Sequence, residues 1–209
     1  MNPKSIILPL LFCSLLTTAQ ITDKLVDIRD GHVYKTIQID SQIWMAENLN
    51  FATDTGSICY DNQPSNCKTF GRLYTWEVAR QVCPQGWHLP SDNEWQMLER
   101  SIGMSENEIN KIGFRGGINN IAGKLKSKAD WNSSSNLVYE DIGFNVLPAG
   151  SYGFHDKIFG SLNCNAFFWT STPYQDKFAW NRDIKDTDNT IFRSQKYKRV
   201  GFSVRCVKN

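Results

Sequence analysis

The sequence contains few histidines and none of the short patterns that identify several common enzyme classes. Its 3 histidines, His32, His88 and His155, show no H-x-x-x-H spacing of the kind that binds a metal from one helix face. It has no G-x-S-x-G nucleophile turn, no phosphate-binding loop and no dinucleotide-binding glycine pattern. The C-x-x-C spacing of zinc sites is also absent. The sequence therefore offers no motif of these enzyme or metal-site classes.

An excess of positive charge is lacking as well. The chain has 23 Lys and Arg against 21 Asp and Glu, a formal net charge of +2. Proteins that bind nucleic-acid phosphates need a clear basic excess, so we expect no nucleic-acid partner. No internal repeat, heptad run or interdomain linker interrupts residues 20–209. These residues, about 190 in number, are enough for a single compact domain with a core.

Only one long apolar run is present, at the N-terminus. Lys4 precedes the apolar segment Ile6–Leu16, and small residues follow it up to Ala19. The run is shorter than the roughly 20 residues of a membrane-spanning helix, and its flanks are typical of a secretory signal peptide. We expect residues 1–19 to be a signal peptide that contains Cys13. The mature chain is then secreted, outside the cell, at its surface or in the periplasm, without membrane insertion.

The other five cysteines predict disulfides, which are the usual state of such residues outside the cytosol. Cys59 and Cys67 bracket a short turn-rich loop, and we expect them to pair. Cys83 and Cys206 then join a helix end to the last strand. Cys164 is left over, and its apolar neighbours favour a buried, inert thiol over a reactive one.

The apolar spacing predicts an α+β fold, with helices early in the chain and antiparallel strands late. Asp30-Gly31 predicts a hairpin over residues 26–39. Helices are expected over Leu73–Val82, from Pro90 to about Ile102, and briefly after Ser105, with loops over 48–70 and 114–136. The later strands are expected at Phe144–Leu147, Ala166–Ser171, Phe178–Ile184, Thr190–Ser194 and Gly201–Val207.

The segment CPQGWHLPSDNEW, residues 83–95, places Cys, His and Glu close together. His88 next to Glu94 is a candidate for acid–base chemistry. However, Ser91 and Glu94 form the S-x-x-E pattern of a helix capping box immediately before an apolar helix. Capping explains both residues without chemistry, so we favour a structural role for this segment.

Two groups of residues are candidates for ligand binding. Asp183, Asp186 and Asp188 offer oxygen ligands for calcium, although a solvated acidic turn is the favoured interpretation. A cluster of aromatic residues around the turn at Thr172-Pro173 suits a sugar-stacking platform, against the alternative that strand alternation buries about half of them. These aromatic residues are Trp169, Tyr174, Phe178 and Trp180.

The sequence resembles the Fibrobacter succinogenes major paralogous domain family of secreted bacterial proteins. The matching segments follow one another in family order: DGHVYKTIQIDSQIWMAENLN, CYDNQPSNC, FGRLYTWEVA, CPQGWHLPSDNEWQML, FWTSTPY and VGFSVRCVKN. Asp40 stands where the family generally has glycine. The resemblance implies a disulfide-stapled C-type-lectin-like fold, in which two main helices flank short antiparallel sheets beside a long loop region.

The resemblance also extends to formylglycine-generating, sulfatase-modifying enzymes at GWHLPSDNEW and GFSVRC. Those enzymes use two copper-binding cysteines, whereas only Cys164 is unassigned here. Calcium-dependent lectins carry a Glu-Pro-Asn or Gln-Pro-Asp triplet, which this chain lacks. We therefore expect a non-enzymatic domain without a required cofactor. It would bind a glycan or a surface protein through residues 113–165 and 169–183. The alternatives are an enzyme that uses Cys164 and a purely structural surface domain.

Overall fold

The computed structural model describes residues 20–132 and 137–209, with side chains from residue 24 onward. The expected signal peptide and residues 133–136 of the expected loop lie outside the described residues. Strands and a few short helices form an α+β fold, as expected. The strands are β1 (Gln20–Val26), β2 (Val33–Ile39), β3 (Gln42–Met45), β4 (Ser57–Ile58), β5 (Leu73–Tyr74), β6 (Trp87–His88), β7 (Gly113–Arg115), β8 (Ala149–Gly153), β9 (Ile158–Leu162), β10 (Asn165–Tyr174), β11 (Phe178–Lys185), β12 (Ile191–Tyr197), β13 (Val200–Gly201) and β14 (Val207–Lys208). The helices are α1 (Pro64–Phe70), α2 (Trp76–Ala79), α3 (Asp92–Ser101), α4 (Glu106–Ile109) and α5 (Ile121–Leu125), with a 3₁₀ turn at Tyr60–Asn62.

The strands form a small sheet, a large sheet and a two-stranded ribbon. The small sheet has the order β1-β2-β3-β14-β6, and β4 pairs with β5 in the ribbon. The large sheet has the order β13-β8-β10-β11-β12-β7, with β9 paired to β8. The described pairs are antiparallel except β8 with β10, which meet in parallel at Gly150 and Ala166. The expected antiparallel sheets are therefore present, with one parallel strand pair, β8 with β10, in the large sheet.

A hairpin forms around Asp30-Gly31, but the predicted first strand from residue 26 is wrong beyond Val26, and the turn is longer than Asp30-Gly31. Strand β1 ends at Val26, and the chain returns only at Val33. Asp27 is fully buried and accepts hydrogen bonds from the Arg29 side chain, Nε at 2.8 Å and Nη2 at 2.6 Å. Gly31 has φ +76°, a conformation that glycine adopts without strain. The Asp27–Arg29 pair therefore removes these residues from the predicted first strand.

The predicted helix over Leu73–Val82 is only partly present. Leu73 pairs with Ile58 in the ribbon, and the Tyr74 N–H donates to the Phe202 carbonyl at 2.8 Å. Helix α2 begins at Trp76 and ends at Ala79. Pairing with distant strands thus overrides the helical spacing, because tertiary contacts outweigh a local preference of this size.

The helix predicted after Pro90 is confirmed as α3, and its capping box is complete. The Glu94 N–H donates to the Ser91 hydroxyl at 3.1 Å, and Glu94 accepts from the Ser91 N–H at 2.7 Å. Helix α4 also forms where expected, but Ser105 makes no capping hydrogen bond to its backbone. Glu108 accepts from the Ser105 hydroxyl at 3.1 Å and from the Gly116 N–H at 3.1 Å. Its carboxylate is therefore shared with the following loop.

Several expected strands and loops differ from the structure. Phe144–Leu147 is not a strand, and Val146 makes only an isolated bridge to Lys126. The expected strand Gly201–Val207 is wrong except at its ends, where Gly201 belongs to β13 and Val207 to β14. The expected loops contain α1, β7 and α5, and β8 and β9 were not predicted at all. These helices and strands are too short to show the periodic apolar pattern from which secondary structure is predicted.

Aromatic side chains fill the core on both sides of the large sheet. Successive residues of a strand point to opposite faces, so Phe168 and Trp169 of β10 enter different clusters. Phe168 packs against Trp95 of α3 with ring centres 5.5 Å apart, and Trp44 meets Trp95 at 5.1 Å. Trp169 packs against Phe202 at 4.6 Å on the other face. The two expected helices of this region, α2 and α3, thus cover opposite faces of β10.

Both predicted disulfides are present. Cys59 pairs with Cys67 before and within α1, and Cys83 pairs with Cys206 across a separation of 123 residues. Cys164 is free and half-buried. Among the described residues, no helix is both long enough and apolar enough to span a membrane.

Candidate functional site

Strands β10, β11 and β12 carry a row of aromatic side chains on one face near the hairpin tip. Tyr174 lies opposite Phe178, and Phe178 lies opposite Tyr197. Because alternate residues of a strand share a face, Trp180 lies on the same face as Phe178. We call Tyr174, Phe178, Trp180 and Tyr197 the aromatic surface. Sequence reasoning predicted three of its members and missed Tyr197, because the pairing of β12 with β11 brings it there.

The rings of the aromatic surface support one another. Tyr174 and Trp180 meet edge to face with centres 5.2 Å apart, and Phe178 and Tyr197 have centres 4.4 Å apart. Tyr174 is 37% exposed and Tyr197 is 46% exposed. Contacting rings on paired strands lose little freedom when a ligand binds, so this surface is suited to stacking.

Trp169, predicted as a fourth ligand contact, does not belong to this surface. It is fully buried, and its indole N–H donates to the Tyr74 carbonyl at 2.8 Å. The register of β10 against β11 shifts between Trp169 and Pro173. Trp169 lies opposite Asn181, on the face that packs against α2, whereas Tyr174 emerges on the other face. Strand alternation, which the register shift preserves, therefore separates the core residue Trp169 from the surface residue Tyr174.

Arg193 of β12 anchors Trp180 to the body of the protein. Its guanidinium carbon lies 3.8 Å from the centre of the Trp180 ring and covers one face of the indole. Arg193 Nη2 donates to Asp92 Oδ2 at 2.6 Å, Nε donates to Asp92 Oδ1 at 3.0 Å, and Nη1 donates to the Asn110 carbonyl at 3.2 Å. The guanidinium is therefore held by backbone and carboxylate together.

These contacts continue into a buried charge cluster, composed of Asp92, Glu99, Arg115, Arg182 and Arg193. Arg182 Nη1 donates to Asp92 Oδ1 at 2.7 Å, and its Nε donates to Glu99 Oε1 at 2.5 Å. Arg115 Nη2 donates to Glu99 Oε1 at 2.9 Å. Burial alone would raise the pKa of Asp92, but the hydrogen bonds and charges of Arg193 and Arg182 outweigh it and lower that pKa. Asp92 therefore stays ionised beneath the aromatic surface.

Sequence reasoning missed this cluster. Asp92 and Glu99 are seven positions apart in the sequence of α3 and share the helix face that meets the large sheet. Arg182 and Arg193 pair with each other across β11 and β12. The acidic spacing on the helix was the only available signal, since the arginines resemble the exposed positions of an alternating strand.

The three aspartates considered for calcium are not brought together. Asp183 is buried on the sheet face opposite the aromatic surface and accepts a hydrogen bond from Asn165 Nδ2 at 2.9 Å. Burial raises the pKa of Asp183. Asp188 caps its own turn by accepting from the Thr190 N–H at 2.8 Å. In residues 20–132 and 137–209, no three His, Cys, Asp or Glu side chains form a group that could hold a metal ion. The favoured interpretation of a solvated acidic turn is therefore wrong for Asp183, which lies buried within β11, whereas Asp186 and Asp188 follow that strand and are half-buried.

The sequence did not explain the role of His88, and the structure gives its side chain two hydrogen-bonding partners. Its Nε2 lies 2.7 Å from Glu94 Oε1, and its Nδ1 lies 2.6 Å from Asn209 Oδ1. The other Glu94 oxygen belongs to the capping box of α3. Burial would raise the pKa of Glu94, but the hydrogen bonds from Ser91 and His88 outweigh it and lower that pKa. His88 thus links the start of α3 to the last residue of the chain.

An open cleft lies away from the aromatic surface. It has a volume of about 450 Å³ and runs between the first hairpin turn, residues 51–55 and the region of α2. The Arg29 guanidinium stacks on Phe51 at 3.8 Å at this cleft. Cys164 lies elsewhere, and among the described hydrogen bonds its Sγ accepts one, from Asn132 Nδ2 at 3.5 Å.

A comparison with protein-family models identifies one match, to the Fibrobacter succinogenes major domain over residues 37–208. This range covers most of the chain, from β2 to β14, and includes the aromatic surface and the buried charge cluster. No curated protein and no solved structure matches the sequence.

Proposed function

The chain belongs to the Fibrobacter succinogenes major domain family, and from this membership and the aromatic surface we propose that it is a secreted, non-enzymatic binding domain whose ligand is a glycan. We further propose a C-type-lectin-like arrangement, in which Cys83–Cys206 joins the segment before α3 to the last strand. The two disulfides support a location outside the cytosol, since such bonds persist in oxidising compartments.

The observation that carries the proposal is the arrangement of Tyr174, Phe178, Trp180 and Tyr197 on one face of paired strands. Aromatic rings stack on the apolar faces of sugars. Because these rings are already partly exposed, the surface needs no rearrangement when a ligand binds. The phenol groups of Tyr174 and Tyr197 add hydrogen-bonding capacity at the edge of the surface. Arg193, fixed by Asp92, holds Trp180 in place.

A glycan array followed by titration calorimetry tests the proposal. Tyr174→Ala and Tyr197→Ala should each weaken binding about fivefold or more, the loss typical of a central contact residue. Phe114→Ala is a matched control, because Phe114 is 55% exposed and lies on the opposite face of the large sheet. Because the proposed contacts need no metal, EDTA should leave the affinity unchanged. If no glycan binds, or if Phe114→Ala weakens binding equally, the proposal is wrong.

The runner-up is a sulfatase-modifying type of enzyme that uses Cys164. It gains support only from the free, half-buried state of that thiol. Titration of the native protein with a thiol reagent discriminates the two functions. We expect slow reaction until the protein is unfolded, whereas rapid reaction of the native thiol at mildly acidic pH would favour the enzyme. A structural surface domain remains the third candidate and would bind neither glycan nor substrate.

A further inference from the structure

Four cations surround the tip of the strands that carry the aromatic surface. Within residues 174–180 and 195–199 the basic residues outnumber the acidic ones, with Asp176 as the one carboxylate. Three of the cations are exposed and Lys198 is half-buried. The cations are Lys177, Lys196, Lys198 and Arg199.

Of these cations, Arg199 lies next to the rings and Lys177 lies in the turn between Tyr174 and Phe178. Lys196 pairs with Ala179 and Lys198 Nζ lies 4.2 Å from the centre of the Trp76 ring, so both lie on the opposite face of the sheet. The Arg199 guanidinium carbon lies 5.3 Å from the centre of the Tyr197 ring. The Lys198 N–H donates to the Lys177 carbonyl at 2.9 Å, which brings the end of β12 against the hairpin turn. Lys198 Nζ donates to the backbone carbonyl of Asp176 at 2.9 Å, so this ammonium group does not neutralise the Asp176 carboxylate directly.

Unlike most arginines of the protein, the four cations at the tip form no ion pair with a carboxylate of the described residues. Arg29, Arg100 and Arg182 each form an ion pair. Among the ion pairs of the described residues, none includes any of the four cations at the tip. Uncompensated positive charge beside exposed rings attracts a ligand that has both an apolar face and negative charge.

We infer that the aromatic surface is specific for anionic glycans, whose carboxylate or sulfate groups contact Lys177 and Arg199 while the sugar rings stack on the tyrosines. The inference rests on the proposed function and names the ligand class of the same surface. Single-stranded nucleic acid shares this chemistry, because bases stack on aromatic rings beside cations. The two disulfides favour the glycan, since they indicate an oxidising compartment outside the cytosol.

The test compares four probes by titration at low and high salt: an oligogalacturonate, a sulfated oligosaccharide, a neutral cello-oligosaccharide of equal length and an oligothymidylate. We expect an anionic saccharide to bind about tenfold more tightly than the neutral one, with the difference shrinking as salt screens the cations. The carboxylate and sulfate probes distinguish the two sources of charge. A variant with Lys177→Gln and Arg199→Gln should lose this preference and retain its affinity for the neutral probe. Lys198 stays unchanged because it holds the tip.

A charge-matched control carries Lys68→Gln and Lys111→Gln, two exposed positions outside the tip. It should keep the preference for anionic probes. Equal affinity for neutral and anionic saccharides, tighter binding of the oligothymidylate, or an equal loss in the control would overturn the inference. Binding of the neutral probe without a preference would leave the proposed function intact. Absence of binding to every saccharide would overturn both.

Discussion

The substitution Asp92→Asn removes one negative charge from the buried charge cluster and preserves the size of the side chain. Asp92 is 7% exposed and pairs with Arg182 at 2.7 Å and Arg193 at 2.6 Å. Removing one partner of a buried ion pair costs about 3–5 kcal/mol, because the remaining charge stays buried without compensation. Since Glu99 still pairs with Arg182, we expect the free energy of unfolding to fall by about 3 kcal/mol, the lower end of that range.

Urea unfolding with both disulfides intact measures this loss through the midpoint at unchanged slope. The matched control is Glu106→Gln, which removes a carboxylate paired with the exposed Arg100 and should leave the midpoint nearly unchanged. Asp92→Asn should also weaken ligand binding, because Arg193 then supports Trp180 less firmly. If Asp92→Asn shifts the midpoint no more than Glu106→Gln, the buried cluster does not stabilise the fold.

Three further predictions concern pH, His88 and the long disulfide. The pKa of Glu94 is lower in the folded protein than its ordinary value of 4.5. The ionised carboxylate therefore stabilises the fold above pH 4.5, and this stabilisation is lost as the pH falls through the lowered pKa. Thermal melts in acid should show this loss, and Glu94→Gln should make the melting temperature depend less on pH. His88→Gln should leave ligand affinity unchanged in calorimetry and cost less than about 1 kcal/mol in urea unfolding, since His88 makes partly exposed contacts; loss of binding with an intact fold would reveal a functional histidine. Replacing Cys83 and Cys206 by alanine opens a loop spanning 123 residues and should cost about 5 kcal/mol in the same assay, and an unchanged midpoint would contradict the loop-entropy argument.

The aromatic hairpin illustrates the limit of strand alternation as a predictor. The sequence predicted both the strands and the burial of part of their aromatic residues. Alternation places Trp169 and Tyr174 on opposite faces, and the register shift between them preserves it, but which face is covered near the tip depends on the packing of α2 against Trp169. Tyr197 joins the surface only through its pairing with Phe178.

The buried charge cluster could not be predicted from the sequence, and the reason is different. Its ion pairs join α3 to strands that follow much later, such as Asp92 to Arg193. Arginine in an alternating strand normally indicates an exposed position, because an unpaired charge is costly to bury. These arginines can be buried because the packing of α3 on the large sheet places its carboxylates beside them.

The parts of this protein that local rules govern were settled by the sequence: the capping box of α3, the pairing of nearby cysteines, the central strands of the large sheet and the family to which the chain belongs. Each depends on residues close in sequence or on a series of motifs in a set order. The tertiary structure decided which aromatic residues face solvent, how Arg193 supports Trp180 and where His88 finds its partners. Those features depend on contacts between distant segments, and their energies are determined by register and packing, which no local pattern specifies.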